Sequence, residues 1–119
     1  MNTETYSNEW NPIIYQGATW AWHVEMTNPD DTKMDLTGYS VRGQLRRTFD
    51  SSTIELDLTT GSMITISDAP NGVISLNVPA ATTANLTGTY KWDVELVSGG
   101  GLVYRIIQGE ITVSREVTR

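Results

Sequence analysis

The stretch from Leu86 to Leu96, Leu-Thr-Gly-Thr-Tyr-Lys-Trp-Asp-Val-Glu-Leu, decides the fold of this chain. From Thr89 onward polar residues alternate with large apolar ones, and the apolar set is Tyr90, Trp92, Val94 and Leu96. A period of two in aromatic and β-branched residues predicts a strand with one buried face and one face in water. We therefore expect a central strand here, with the rest of the chain supplying its partners.

The composition favours a single all-β domain. At 119 residues the chain is long enough to bury a core without disulfides, and it contains no cysteine, which excludes thiol catalysis and thiolate metal sites. A formal net charge of -6 argues against nucleic acid or an anionic membrane surface as a partner, because both need a basic footprint. No apolar run approaches a membrane span, and the first residues lack the features of a signal peptide, so we expect a protein made in a cytoplasm.

Alternating segments separated by turn residues recur along the chain. The turn signals include Asn28-Pro29-Asp30-Asp31, Asn71-Gly72 and the glycines that follow Ser98. Strands are predicted at Thr19–Thr27, Tyr39–Thr48, Thr53–Leu58, Met63–Ser67, Val73–Val78, Leu86–Leu96, Leu102–Gln108 and Glu110–Ser114. One helical turn is expected within Pro79–Asn85. Seven to eight short strands of this kind predict an antiparallel β-sandwich over residues 16–119.

Residues 1–15 are predicted to form an irregular N-terminal arm, because they show no regular period. Their large apolar residues either pack on the edge of the domain itself or dock on another subunit, since a free tail seldom carries so many such groups. The candidate interface residues are Trp10, Ile13, Ile14 and Tyr15.

No pattern in the sequence carries enzyme chemistry. His23 is the only histidine and is predicted on the outer face of its strand, and no Gly-x-Ser-x-Gly motif is present. The loop residues Asn28, Asp30, Asp31 and Asp35 could supply oxygen ligands to calcium, but their spacing departs from that of the calcium-binding loop. Solvated turn acids are the favoured interpretation. We expect no enzyme activity, no metal and no cofactor.

Acids on the predicted strand faces are expected to face cations on the wet side of the sandwich. Two pairs of acids each have a spacing of two residues along a strand, and three arginines are the expected cations. The acids are Glu55, Asp57, Asp93 and Glu95, and the arginines are Arg42, Arg46 and Arg105.

Four tryptophans raise the alternative of a carbohydrate-binding module. Trp20, Trp22 and Trp92 follow the inward register of their strands, so a core position is favoured for all three. Trp10 lies outside any predicted strand and is the best candidate for an exposed contact. A carbohydrate-binding module that stacks sugars on tryptophan requires at least two aromatic rings exposed on one surface, which gives this alternative a direct structural test.

The tyrosine that begins the central strand resembles the tyrosine corner of immunoglobulin-like sandwiches, in which the phenol hydroxyl bonds to upstream backbone. Further similarities lie mostly at turns and core positions. They comprise Gln16-Gly17, Asp35-Leu36-Thr37-Gly38, Thr82-Thr83, Leu86, Gly88, Tyr90, Trp92-Asp93-Val94, Gly109, Val113 and Glu116-Val117-Thr118-Arg119. Together these motifs resemble small immunoglobulin-like structural proteins of bacteriophage virions, similar to the N-terminal module of phage baseplate and receptor-binding tail proteins. The likeness covers nearly the whole chain from Gln16 onward.

This resemblance implies a non-enzymatic virion protein, an adaptor of the tail, baseplate or neck. It would be made in the host cytoplasm and assemble with other virion proteins and with copies of itself in a symmetric structure, through the arm and through strand edges. A capsid decoration protein that stabilises the head is the alternative within this class. The carbohydrate-binding module is the alternative from another class.

Overall fold

Two β-sheets pack face to face in the computed structural model, which describes residues 8–60 and 62–118. The strands of this part are β1 (Asn8–Glu9), β2 (Ile13–Tyr15), β3 (Trp20–Glu25), β4 (Ser40–Arg46), β5 (Leu56–Asp57), β6 (Ile64–Asp68), β7 (Val73–Val78), β8 (Thr89–Val97) and β9 (Val103–Ser114). The larger sheet has the order β1-β9-β8-β4-β5, with β2 also paired to β9, and the smaller sheet has the order β3-β7-β6. This architecture confirms the predicted all-β fold class.

The predicted central strand is β8, which lies between β9 and β4 in the larger sheet. Its alternating pattern is confirmed, because its four apolar side chains are buried between the sheets and the residues between them are less buried. They meet the inward residues of the smaller sheet, of which Ile74, Leu76 and Val78 on β7 are buried. Burial of large apolar side chains from both sheets is the main stabilising contribution to such a sandwich.

The phenol hydroxyl of Tyr90 accepts a hydrogen bond from the backbone N–H of Thr87 at 3.0 Å, so the predicted link to upstream backbone is present. The guanidinium of Arg47 lies 4.1 Å from the centre of the same ring. Arg47 also donates to the carbonyl oxygens of Thr87 and Thr89 at 2.6 and 3.1 Å. The Tyr90 hydroxyl and the Arg47 guanidinium therefore both stabilise the N-terminal end of β8.

Short connections join most neighbouring strands as predicted. β6 and β7 form an antiparallel hairpin through the 3₁₀ turn Ala69–Asn71, and β8 and β9 form another. Gly72 has φ of 72°, and a Cβ there would lie 2.6 Å from two backbone carbonyl oxygens, so this turn requires glycine. The expected helical turn is present as α1 (Ala80–Thr83). It crosses from β7 to the strand that organises the larger sheet.

One strand, β9, replaces the two strands predicted on either side of Gly109. A β-bulge opposite Val94 and Glu95 makes Ile106 the extra residue, so Ile106 and Ile107 are both buried. The apolar run from Leu102 to Ile107 also allows a strand covered on both faces, either by the chain itself or by a neighbour. The chain itself does not cover both faces, because Leu102 and Val103 are exposed, and the bulge explains the consecutive buried pair.

The predicted strand Thr53–Leu58 is reduced to β5, which pairs with β4 over only two residues. Ile54 was expected to face inward but is 41% exposed. Hydrogen bonds between Ser51 and Thr53 extend the preceding turn, and they compete with strand pairing at this end. The chain rejoins the sandwich at Leu58, which is fully buried.

The N-terminal segment is ordered into the larger sheet over the residues that the structure describes. β1 and β2 pair with β9 in parallel, so the expectation of an irregular arm is wrong for these residues and the sheet is mixed rather than purely antiparallel. These two strands also account for a strand count above the expected seven to eight. The first seven residues of the predicted arm, Gly61 of one predicted loop and Arg119 of the charged tail lie outside the described residues.

Candidate interaction surfaces

The segment from residue 8 to residue 16 lies along one edge of β9 in a constant parallel register. Backbone hydrogen bonds hold it at Trp10, which donates to the Gln108 carbonyl at 2.9 Å, and at Gln16, which donates to the Ser114 carbonyl at 2.9 Å. Between them the side-chain oxygen of Asn11 accepts from the Glu110 N–H at 2.8 Å, where a backbone carbonyl would otherwise serve. Because the Asn11 side chain takes this acceptor position, the Trp10 carbonyl group can point toward the core.

Gly109 makes that arrangement possible, because it pairs with Trp92 on β8 and lies beside Trp10 on its other side. The Trp92 indole N–H reaches across it to donate to the Trp10 carbonyl oxygen at 3.1 Å. A Cβ at residue 109 would overlap with the Trp10 carbonyl. The glycine therefore has a steric role in attaching the N-terminal segment.

The four tryptophans form a closed ring of aromatic contacts at this edge of the sandwich. Trp10 lies 5.2 Å from Trp22 and 5.7 Å from Trp92 between ring centroids, and Trp20 lies 6.5 Å from Trp22 and 5.5 Å from Trp92. Three of the four contacts are edge-to-face, a geometry that adds favourable energy beyond area burial. The Trp22 indole N–H is buried and has no hydrogen-bond acceptor among the described residues. The ring of four tryptophans bridges the two sheets, since Trp20 and Trp22 belong to the smaller sheet and Trp92 to the larger.

The four predicted interface residues divide between the surface and the core. Trp10, Ile13 and Tyr15 are 38%, 54% and 63% exposed, whereas Ile14 is fully buried. Ile14 is therefore removed from the candidate interface, because alternation along β2 turns it into the chain's own core. The other three are exposed along the same edge segment: Ile13 and Tyr15 lie on the face of β2 opposite Ile14, and Trp10 packs against Trp22 and Trp92. We call Trp10, Ile13 and Tyr15 the N-terminal apolar row.

Strand β3 presents a free edge close to this row, since it is paired only with β7 among the described strands. The N–H of Met26 points toward β7 and donates to the Gly72 carbonyl at 2.8 Å. Because backbone groups alternate along an antiparallel strand, those of Ala21, His23 and Glu25 point away from β7. The ring contact between Trp10 and Trp22 places strand β3 beside Trp10, one member of the apolar row.

A second surface of interest is the outer face of the larger sheet, where charged side chains form rows across β4, β8 and β9. Arg42 bonds to Glu95 at 2.8 Å, Lys91 to Glu110 at 2.9 Å, and the Arg105 Nε lies 3.6 Å from Asp93. The expectation that Asp93 and Glu95 face arginines on a wet sheet face is confirmed. For the other predicted pair of acids, Glu55 lies 3.8 Å from Arg47, an arginine that was not predicted.

Asp93 differs from its neighbours in being half-buried within this face. Burial, followed by the nearby Glu95 carboxylate, raises the pKa of the Asp93 carboxyl, and the attraction of Arg105, Arg42 and Arg46 does not cancel these effects. The residues around it, together with Phe49, form a cleft of 260 Å³ that spans β4, β8 and β9. No sequence pattern predicted this cleft, because its walls come from three strands and a turn that are distant in the chain.

The loop acids considered for calcium are engaged within their own turns. Asp30 accepts from the Thr32 N–H and hydroxyl at 3.1 and 2.6 Å, and Asp35 accepts from the Thr37 N–H and hydroxyl at 2.9 and 2.6 Å. The threonine hydroxyl and then the threonine N–H lower the pKa of each carboxyl. No group of three or more metal-ligating side chains is present in residues 8–60 and 62–118. These acids stabilise the turns that contain them.

His23 is exposed on the outer face of β3, where it pairs with Ser75. Among the helices that the structure describes, none is long and apolar enough to cross a membrane.

No model of a known protein family matches the chain, and no curated protein sequence matches it.

Proposed function

We propose that this chain is a non-enzymatic structural protein of a bacteriophage virion, with an immunoglobulin-like sandwich that serves as an adaptor of the tail, baseplate or neck. Support for the phage setting comes from the resemblance of the motifs quoted above. Support for an assembly role comes from the surface. The single observation that carries it is the exposure of Trp10, Ile13 and Tyr15 beside a free strand edge.

The apolar row has a chemistry suited to burial against a protein. Aromatic residues are enriched at protein interfaces, and truncation of such anchors accounts for much of the binding energy in measured complexes. The row is held rigidly, because the backbone between Trp10 and Gln16 is hydrogen-bonded to β9 at both ends. A neighbouring subunit would therefore meet a preformed surface and would pay little ordering entropy on binding.

The free edge of β3 offers a second mode of contact. An extended segment of a neighbouring virion protein, or β3 of another copy, would add as a strand and satisfy the outward backbone groups of Ala21, His23 and Glu25. Symmetric repetition of these contacts would place many copies in one ring or shell. A capsid decoration protein would use the same contacts on the head, and it is the alternative within the class.

The carbohydrate-binding module that relies on tryptophan stacking receives no support from the ring geometry. Trp20 and Trp92 are buried and Trp22 is partly buried, and Trp20 packs against the rings of both Trp22 and Trp92. Trp10 is the only tryptophan with substantial exposure in the described part of the chain. A pair of open rings on one surface, which this alternative requires, is not formed by these four residues.

The direct test is to look for the chain in particles. Virions purified by density gradient from a phage-producing culture of the encoding host would be analysed by quantitative mass spectrometry. We expect peptides of this chain at many copies per particle, in a fixed ratio to the major structural proteins. Recovery of the chain only outside the particles would contradict the proposal.

A second test addresses the surface itself. Sedimentation of the purified chain, alone and with its candidate neighbours from the same particle, would be measured from about 1 µM to about 1 mM. The double substitution Ile13→Ser with Tyr15→Ser should weaken association at least about tenfold and leave the fold intact, because both side chains are exposed. Leu102→Ser, at an exposed apolar residue of the β8–β9 hairpin, is the matched control and should leave association unchanged. Equal effects of the two variants would remove the apolar row from the proposal.

A further inference from the structure

We infer that the outer face of the larger sheet carries a binding site for a neutral, polyhydroxylated ligand of the saccharide class, centred on Gln44, Asp93 and Gln108 with Phe49 at its rim. This site lies on strands β4, β8 and β9 and is separate from the apolar row. It concerns a small ligand rather than a protein neighbour, so this inference goes beyond the proposed assembly role and does not depend on it.

The floor of the site is a row of three polar side chains in register. Gln44 on β4 pairs with Asp93 on β8, and Asp93 pairs with Gln108 on β9. Paired residues of adjacent strands project from the same face, so their side chains lie next to one another. The surrounding cleft measures 260 Å³, which is close to the lower limit for small-molecule pockets and suits a single sugar ring.

The Asp93 carboxylate and the side-chain nitrogens of Gln44 and Gln108 make no hydrogen bond to other described residues. No described residue donates a hydrogen bond to the Asp93 carboxylate, and its nearest cation, the Arg105 Nε, is 3.6 Å away. The oxygen of Gln44 accepts from Arg46 at 3.0 Å, and the oxygen of Gln108 accepts from Arg105 at 3.1 Å. Neither glutamine nitrogen donates within the described part, so a strong acceptor lies between two sets of free donors.

The Asp93 side chain is 41% exposed, so its carboxylate is partly desolvated and can still be reached from the cleft. The pKa of Asp93 is raised because desolvation and Glu95 disfavour its ionised form more than the arginines favour it. Hydroxyl groups of a bound ligand would donate to this carboxylate in place of water. The arginines orient the glutamines, so the donor groups are fixed before the ligand arrives.

The charge arrangement selects a neutral ligand. Arg46, Lys91 and Arg105 alternate with Asp93 and Glu95 around the cleft, so a ligand of either sign would meet a like charge at contact distance. A polyhydroxylated molecule carries donors for the carboxylates and acceptors for the amides, and it avoids both repulsions. Phe49 is 76% exposed at the rim, with the Lys91 ammonium 5.4 Å from its ring centroid on one side, and the other side of the ring offers a flat apolar surface for the C–H face of a sugar ring.

The experiment is a titration of the ¹⁵N-labelled full chain, followed by NMR of backbone and side-chain amides. Glucose, galactose and N-acetylglucosamine would each be added up to about 100 mM, which detects dissociation constants well into the millimolar range. We expect saturable shifts of the Gln44 and Gln108 side-chain amides with at least one of the three sugars. Asp93→Asn and Phe49→Ala should each weaken that binding at least about tenfold.

Asp50→Asn is the matched control, because it makes the same charge change at an exposed residue next to Phe49 that does not line the cleft. It should leave the dissociation constant unchanged, and the dispersion of the spectra would verify that every variant is folded. The inference is overturned if none of the three sugars gives a saturable shift. It is equally overturned if the shifts cluster at Trp10 and Trp22, or if Asp93→Asn binds as well as the unsubstituted chain.

Discussion

The indole N–H of Trp92 donates a hydrogen bond to the carbonyl oxygen of Trp10 at 3.1 Å, across a glycine that separates the two residues in the sheet. This bond joins the centre of β8 to the first residues of the described chain. It satisfies the polar atom of a buried ring, which would otherwise be costly to desolvate. The N-terminal segment is therefore part of the core through Trp92, as well as part of the sheet through β9.

Gly109→Ala tests this attachment. The added methyl group would occupy the position of the Trp10 carbonyl, so the N-terminal segment must shift and lose part of its hydrogen bonding. We expect a loss of about 2–3 kcal/mol in the free energy of unfolding, with faster amide exchange at Trp10 and Thr112. Gly100→Ala is the control, since a Cβ there meets nothing closer than the Ser98 hydroxyl at 3.9 Å. Similar stabilities for the two variants would show that the glycine has no steric role.

Ile14→Ala and Ile13→Ala compare the two faces of β2. Ile14 is fully buried, so truncation should cost about 2–4 kcal/mol in urea unfolding, whereas Ile13 is exposed and should cost less than about 0.5 kcal/mol. If instead the segment were a loose arm that docks only on a neighbour, both variants would leave the stability of the isolated chain unchanged.

Thr83→Val removes a buried hydroxyl that ties α1 to the turn before β3. This hydroxyl donates to the Ala18 carbonyl at 2.8 Å and accepts from the Gly17 N–H at 3.1 Å. Valine has nearly the same shape, so the substitution leaves two backbone groups unpaired, and we expect a loss of about 1–3 kcal/mol by thermal or denaturant unfolding. Thr82→Val, whose hydroxyl has no such contacts among the described residues, should be close to neutral.

Asp35 and Asp30 should titrate below the ordinary aspartate value of 3.8, and Asp93 should titrate above it. Asp30 and Asp35 have lowered pKa values, so their stabilising contribution is present above 3.8 and is lost as the pH falls through their folded-state values. Asp93 has a raised pKa, so its contribution is present below 3.8 and is lost as the pH rises through its folded-state value. Carbonyl-detected NMR titration of the three side chains measures each value directly.

It follows that Asp93→Asn should stabilise the chain at neutral pH by less than about 1 kcal/mol, since half-exposed charges are well screened. The gain should vanish below pH 3.8, where the native carboxyl is already protonated. Asp35→Asn should show the opposite dependence, with a loss at neutral pH that disappears in acid. A pH-independent effect of Asp93→Asn would contradict the assigned cause of the shift.

Strands with a long alternating pattern were predictable from sequence. Trp20–Glu25, Val73–Val78 and Thr89–Val97 were predicted within a few residues of their observed bounds, because each has enough inward apolar residues to define its own buried face. The bond from the Tyr90 hydroxyl to upstream backbone was expected from the resemblance to the tyrosine corner, and the structure identifies Thr87 as its partner. The solvent-facing side of β8 was also predictable, since the charged residues Lys91, Asp93 and Glu95 recur there at every second position.

Other features could not be read from any local pattern. β1 and β2 contain two and three residues, too few to show a period, and they exist only because the edge of β9 is available for parallel pairing. The bulge at Ile106 depends on the strand opposite it. The cleft around Asp93 requires the register of β4, β8 and β9, which sequence does not specify residue by residue.

The sequence by itself determined that this chain is an all-β domain with an acidic surface and a core rich in aromatic residues, because alternation and net charge are properties of neighbouring residues. The tertiary structure alone decided that four tryptophans close one ring, that Ile14 belongs to the core, and that Asp93 lies between two glutamines. These relationships join residues far apart in the chain, and they form only when burial of the two sheets fixes which strands are neighbours.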